Sequence, residues 1–110
     1  MNLMSLVTDN VTEILIKIVK FTQTRQKILI QNIINVQNPG FVPQELEVDE
    51  FSDLLNNAID EHVRNKRLVL CDTENIKFGA SGSIELKPII DEYSIKLLEE
   101  DRDEYIERQI

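Results

Sequence analysis

Between residues 11 and 36, apolar side chains return every three or four positions: Val11, Ile14, Leu15, Ile18, Phe21, Ile28, Leu29, Ile33 and Val36. That period lines them along one face of an α-helix of roughly seven turns. Asp9 or Asn10 suits the start of such a helix, and Glu13 stands three residues after Asn10 in capping-box spacing, so the pattern predicts a long helix over 9–37. Within it, Val11, Ile14, Ile18, Phe21, Arg25, Ile28, Asn32 and Asn35 follow one four–three seam, apolar at its start and polar at its end. Seams of this spacing pair helices in coiled coils. A single Asn in one sets register, and an Asn near a helix end satisfies free carbonyls or the following turn.

The helix has a defined stop. Pro39 disfavours helical geometry at Asn38, and Pro followed by Gly40 fits a type II turn over 38–41. The turn and an extended acidic linker are expected to fill 38–50. Phe51, Leu54, Leu55, Ala58 and Ile59 then predict a short amphipathic helix over 51–62, with Asp49, Glu50 and Asp53 at its start and Arg64, Lys66 and Arg67 after its end, as the helix dipole prefers. Residues 67–71 and 83–90 read as short strands, with 76–78 as a third. The stretch 92–110 carries Leu97, Leu98, Tyr105 and Ile106 among many charges and reads as a charged helix or loosely held tail. The expectation is one domain over 1–110: mainly α, with a small β or extended region and acidic tail over 67–110.

Charge narrows the range of partners. The formal net charge is −8, and it is uneven: residues 1–44 hold four basic and two acidic side chains, residues 45–110 eight basic and eighteen acidic. Phosphate binding needs a cationic surface, so nucleic acid is an unsuitable partner. The apolar run near the N-terminus is too short for a membrane span and lacks the basic start and small-residue site of a signal peptide.

Candidate chemistry is sparse. His62 is the single histidine, with neither a Cys nor a second His at ligand spacing, and suits a surface or capping role. Glu99, Glu100, Asp101, Asp103 and Glu104 lack the alternating oxygen ligands and Gly of a calcium loop and read as a solvated face. Residues 79–83, Gly-Ala-Ser-Gly-Ser, lack the Lys-Ser/Thr ending of a phosphate cradle and read as a turn. Cys71 has no assignable base for nucleophilic catalysis and reads as a small buried side chain. No catalytic, cofactor or metal site is expected, and no enzymatic activity.

The arrangement Arg25-Gln26-Lys27-Ile28-Leu29, then Asn32-Ile33, then Asn35, then Pro39-Gly40-Phe41, resembles the N-terminal signature of the bacterial flagellar basal-body rod proteins, proximal-rod type. In that family a helix ends in a pattern like NNIANANTPGY. The resemblance covers the first half of the chain. It departs at Gln31, Ile34, Val36 and Asn38, and at the family's second long, C-terminal helix, for which the sequence up to Ile110 has no pattern. The resemblance implies a structural subunit of the periplasmic rod, exported without a cleavable signal peptide. Its implied partners are other rod subunits and the export apparatus, with self-association, and its assembly interface would lie at Val11, Ile14, Ile18, Phe21, Arg25, Ile28, Asn32, Ile33, Asn35, Pro39, Gly40 and Phe41. The alternative is a soluble acidic helical binding module, an adaptor or an export chaperone.

Overall fold

A computed structural model describes residues 3–80 and 83–110, with side chains from residue 9 onward. Its elements in chain order are α1 (Leu3–Asn35), β1 (Gln44–Glu45), α2 (Val48–Asn65), β2 (Ile76–Phe78), β3 (Ile84–Leu86), β4 (Ile89–Ile90), α3 (Glu92–Glu100) and α4 (Arg102–Gln109). The fold is mainly helical with a small antiparallel strand portion. Where the sequence reads as one domain, the chain divides into two compact units, residues 1–22 with 47–87 and residues 23–46 with 88–110. Ser81 and Gly82, at the centre of the expected 79–83 turn, lie outside the described residues.

Several boundaries differ from the sequence reading. α1 begins by Leu3, so Asn10 is an interior helical residue; its amide donates to His62 Nδ1 (3.1 Å), which calls for the tautomer protonated at Nε2. α2 starts at Val48 and runs to Asn65, longer than the expected 51–62. The linker is correspondingly shorter and contains β1. Residues 67–71 form no strand, and Cys71 is exposed rather than buried. The expected strand over 83–90 is two strands, β3 and β4, which belong to separate two-stranded sheets.

In the first unit, α1 and α2 run antiparallel. Asn10 meets His62 at one end, and Phe21 stacks on Phe51 at the other, with ring centroids 4.0 Å apart and planes within 4°. Ile14, Phe21, Phe51, Leu55 and the fully buried Ala58 form the contact layer. The β2–β3 hairpin, with Lys77 opposite Glu85, closes one side of this helix pair. Phe78 lies 6.2 Å from Phe51, and Asn75 donates to Glu50 at 3.5 Å.

The second unit is built around the end of α1. β1 pairs antiparallel with β4, Gln44 opposite Ile90, and Asp91 N–H continues that pairing by donating to Pro43 C=O at 3.0 Å. The region expected to be a helix or loose tail is two capped helices. Asp91 accepts from Ser94 N–H (3.0 Å) at the start of α3, and Asp101 accepts from Glu104 N–H (3.1 Å) at the start of α4. They bring Leu97 and Tyr105 onto Val36, with Phe41, Leu98 and Ile106 packed around that cluster.

Tyr105 is fully buried, and its hydroxyl has no hydrogen-bond partner. Burial, reinforced by the charge of Asp91, pushes its pKa from 10.0 up to about 12. The folded phenol therefore keeps its proton above pH 10 while the unfolded one releases it, so stability falls as pH rises from 10 toward 12. Tyr105→Phe should remove this alkaline loss. At neutral pH it should match or exceed wild type by up to about 1 kcal/mol, because an unpaired buried hydroxyl is removed. Urea denaturation of both proteins across pH 8–12 measures the difference. Parallel alkaline profiles would be the contrary result.

Candidate functional site

The amides at the end of α1 are used inside the fold. Asn32 is buried, and its carboxamide takes both outward-facing backbone groups of Gln44: Nδ2 donates to Gln44 C=O at 2.8 Å, and Oδ1 accepts from Gln44 N–H at 3.2 Å. Nδ2 also reaches Gln109 Oε1 at 3.1 Å. Asn35 donates to the Gln31 carbonyl one turn back (2.9 Å) and accepts from Asn38 Nδ2 (2.9 Å), linking the helix end to the turn.

The turn itself follows the sequence reading. Phe41 N–H donates to Asn38 C=O at 3.2 Å, and Gly40 sits at φ +75°, as the third position of a type II turn requires. Its product is the placement of Phe41, whose ring meets Tyr105 edge-on at 6.2 Å. An open groove of about 270 Å³ lies here, lined by residues including Asn32, Asn35, Asn38, Phe41 and Gln44. The three asparagines along it already hold partners within the chain.

The expected seam is displaced on the helix. Ile14, Phe21, Ile28 and Asn32 are buried, Ile33, Asn35 and Phe41 are half-buried, and Arg25, Pro39 and Gly40 are exposed. Val11 and Ile18, expected in the seam, are 45% and 37% exposed. The residue that enters the buried line instead is Lys17, with no exposed surface at all. Its ammonium donates to the carbonyls of Gly79 (2.9 Å) and Ser83 and pairs with Glu13 at 3.1 Å. A buried charge is tolerable when hydrogen-bonded and paired in this way. The seam assumed a regular helical partner, whereas in the first unit the chain offers α1 a helix on one flank and a strand hairpin on another. Lys17 was missed because one charge inside Ile-Lys-Ile reads as an exposed position. The signal available was Glu13, four residues before it.

An aliphatic face of α1 is left uncovered. At about 100° per residue, Val11, Leu15, Ile18 and Val19 sit roughly a quarter turn round α1 from Ile14, Lys17 and Phe21. Ile59 and Val63 sit a similar angle, in the same rotational sense, from Phe51, Leu55 and Ala58 on α2. Because the two helices are antiparallel, these two sets share one side of the pair. The hairpin occupies the other side, where Lys17 and Glu50 meet it. The six uncovered aliphatics are between 37% and 63% exposed.

Among the described residues, no cluster of three or more His, Cys, Asp or Glu could hold a metal ion, and no helix is long and apolar enough to cross a membrane. Comparison with known proteins finds no matching family model, no matching curated protein and no matching solved structure.

Asn32→Ala should lower stability by about 1–3 kcal/mol, since it unpairs both backbone groups of Gln44, while Asn35→Ala, at the half-buried last residue of α1, should cost less than about 1 kcal/mol. Urea titration gives the magnitudes, and amide exchange at Gln44 gives the location. Unchanged protection of Gln44 in Asn32→Ala would show that the clamp is dispensable.

Proposed function

We propose that this chain is a structural subunit that assembles by helix packing, and that the assembly is the bacterial flagellar basal-body rod. The observation that carries the assembly reading is the uncovered aliphatic line Val11, Leu15, Ile18 and Val19 on α1. Half-exposed side chains of this kind, contiguous on one helix, favour association with another apolar surface. The rod assignment leans on the resemblance of residues 25–41 to the helix-end signature of rod proteins. In this reading the Asn-Pro-Gly turn ends α1 at a set residue and sends the chain back onto it. The partners are neighbouring rod subunits and the export apparatus, and the route is export without a cleaved signal peptide.

A second reading, an acidic helical adaptor or export chaperone, is favoured by a different observation. The four–three seam called for a helical partner, yet Ile14, Phe21, Ile28 and Val36 are all buried by the chain itself. A subunit with its main apolar line already covered can also work as a self-standing module.

The two readings separate by location. Epitope-tagged protein in its host bacterium should co-purify with detergent-extracted basal bodies, whereas an adaptor would stay in the soluble fraction. Replacing Pro39 and Gly40 together with Ala should cut incorporation by about tenfold or more. Folding should lose only the roughly 1–2 kcal/mol expected from a positive φ without Gly and from a freer unfolded chain. Absence of the wild-type chain from basal bodies, or full incorporation of the double variant, would contradict the proposal.

A further inference from the structure

We propose that the free edge of β3 docks an extended peptide segment of a partner protein, one in which a basic residue stands between two apolar ones. This goes beyond the helix-packing reading, since the edge lies on the β2–β3 hairpin and not on the uncovered line of α1.

In the hairpin, Lys87 N–H donates to Asn75 C=O at 2.8 Å and Gly79 N–H to Ser83 C=O at 3.2 Å, so the odd-numbered residues bond to one another across the ladder. The even-numbered residues therefore aim their backbone groups away from it, at the two outer edges. On β2 those groups are taken up by the chain itself: Ile76 N–H donates to Thr73 Oγ1 (3.2 Å), Ile76 C=O accepts from Thr73 N–H (2.8 Å), and Phe78 N–H donates to Asp72 Oδ1 (2.8 Å). On β3 the corresponding N–H and C=O groups of Ile84 and Leu86 have no partner among the described residues. They set a donor and an acceptor at each of two points about 7 Å apart along the strand, a spacing that an extended backbone matches group for group.

Side chains choose the residues of that segment. Ile76, Phe78, Ile84 and Leu86 share one face of the hairpin, the one on which Phe78 meets Phe51. Ile76 is buried there, while Ile84 and Leu86 across the ladder are only half-buried, because the apolar layer stops at an edge. Apolar residues opposite Ile84 and Leu86 would continue it. On the other face Glu85 is exposed and belongs to no ion pair among the described residues, whereas Lys87 is already paired with Glu74 at 3.8 Å. A residue set directly opposite Glu85 meets its carboxylate, and the net charge of −8 adds to the preference for a cation there. The same geometry disfavours a second copy. Antiparallel pairing of β3 with itself about Glu85 sets two carboxylates side by side, and the adjoining registers run into the hairpin turn or onto Pro88, which has no N–H.

An end-blocked pentapeptide, Thr-Val-Lys-Val-Thr, titrated into the isotopically labelled full chain and followed by amide NMR shifts and amide exchange, tests this. Binding should saturate with a dissociation constant below about 1 mM, and protection should rise at the Ile84 and Leu86 amides. Methylating the backbone nitrogens of both valines, which face β3, should weaken binding about tenfold or more, whereas methylating that of the lysine, which points away, should change it by no more than about twofold. Replacing the lysine of the peptide by glutamate should weaken binding about fivefold, and Glu85→Gln, at an exposed position, should remove most of that difference. No saturable binding below about 1 mM, equal binding of the two methylated peptides, or protection gained elsewhere but not at Ile84 and Leu86 would overturn the proposal. So would a dimer of the chain alone that protects those two amides before any peptide is added.

Discussion

A helix of 33 residues in a chain of 110 creates a burial demand that governs the rest of the fold. Helices in water draw most of their stability from packing an apolar face, so whatever follows Asn35 has to supply cover. It does so with small elements. α2 and the β2–β3 hairpin cover residues 14–21, and β1, β4, α3 and α4 form the surroundings of the helix end. None of these elements alone is large enough to be an independent core. The result is one well-covered line along α1 and one line left bare.

Irregular cover also explains which polar groups are admitted to the buried line. Two strands and a turn present backbone carbonyls to α1, and a carbonyl facing a helix away from water needs a donor. Lys17 meets two of them, at Gly79 and Ser83, and Asn32 meets one at Gln44 while also accepting from the same residue. Had the partner been a second helix with its own carbonyls bonded internally, neither side chain would have had a reason to be inside. The polar breaks in the apolar pattern thus record the kind of neighbour the helix has.

This sets the limit of what could be read from the sequence. Local signals transferred well: Pro39-Gly40 gave the turn, Phe51, Leu55 and Ala58 gave the buried face of α2, and 76–78 gave β2. Signals that depend on a distant neighbour did not. Asn10 and Glu13 have capping-box spacing, yet the helix continues through them and each is engaged elsewhere, by His62 and by Lys17. Residues 67–71 have strand composition but no strand to pair with. Asp101 and Glu104 do have cap spacing, and they were passed over because they sit in an acidic run that reads as solvent-exposed charge. For the candidate site, the residues that carry the family resemblance turn out to specify how α1 ends, whereas the uncovered face is made of residues outside that signature, Leu15 and Val19 among them.

The clamp at Gln44 has a consequence for the outer edge of β1. A strand exposes hydrogen-bonding groups along its free edge, and such an edge is a template on which another chain can add a strand. At β1 that edge is occupied by a side chain from α1: the carboxamide of Asn32 presents one donor and one acceptor in the arrangement a neighbouring strand would offer. The two-stranded sheet is therefore terminated at Gln44 by an imitation of its own next strand. Growth by strand addition is closed at that point of β1.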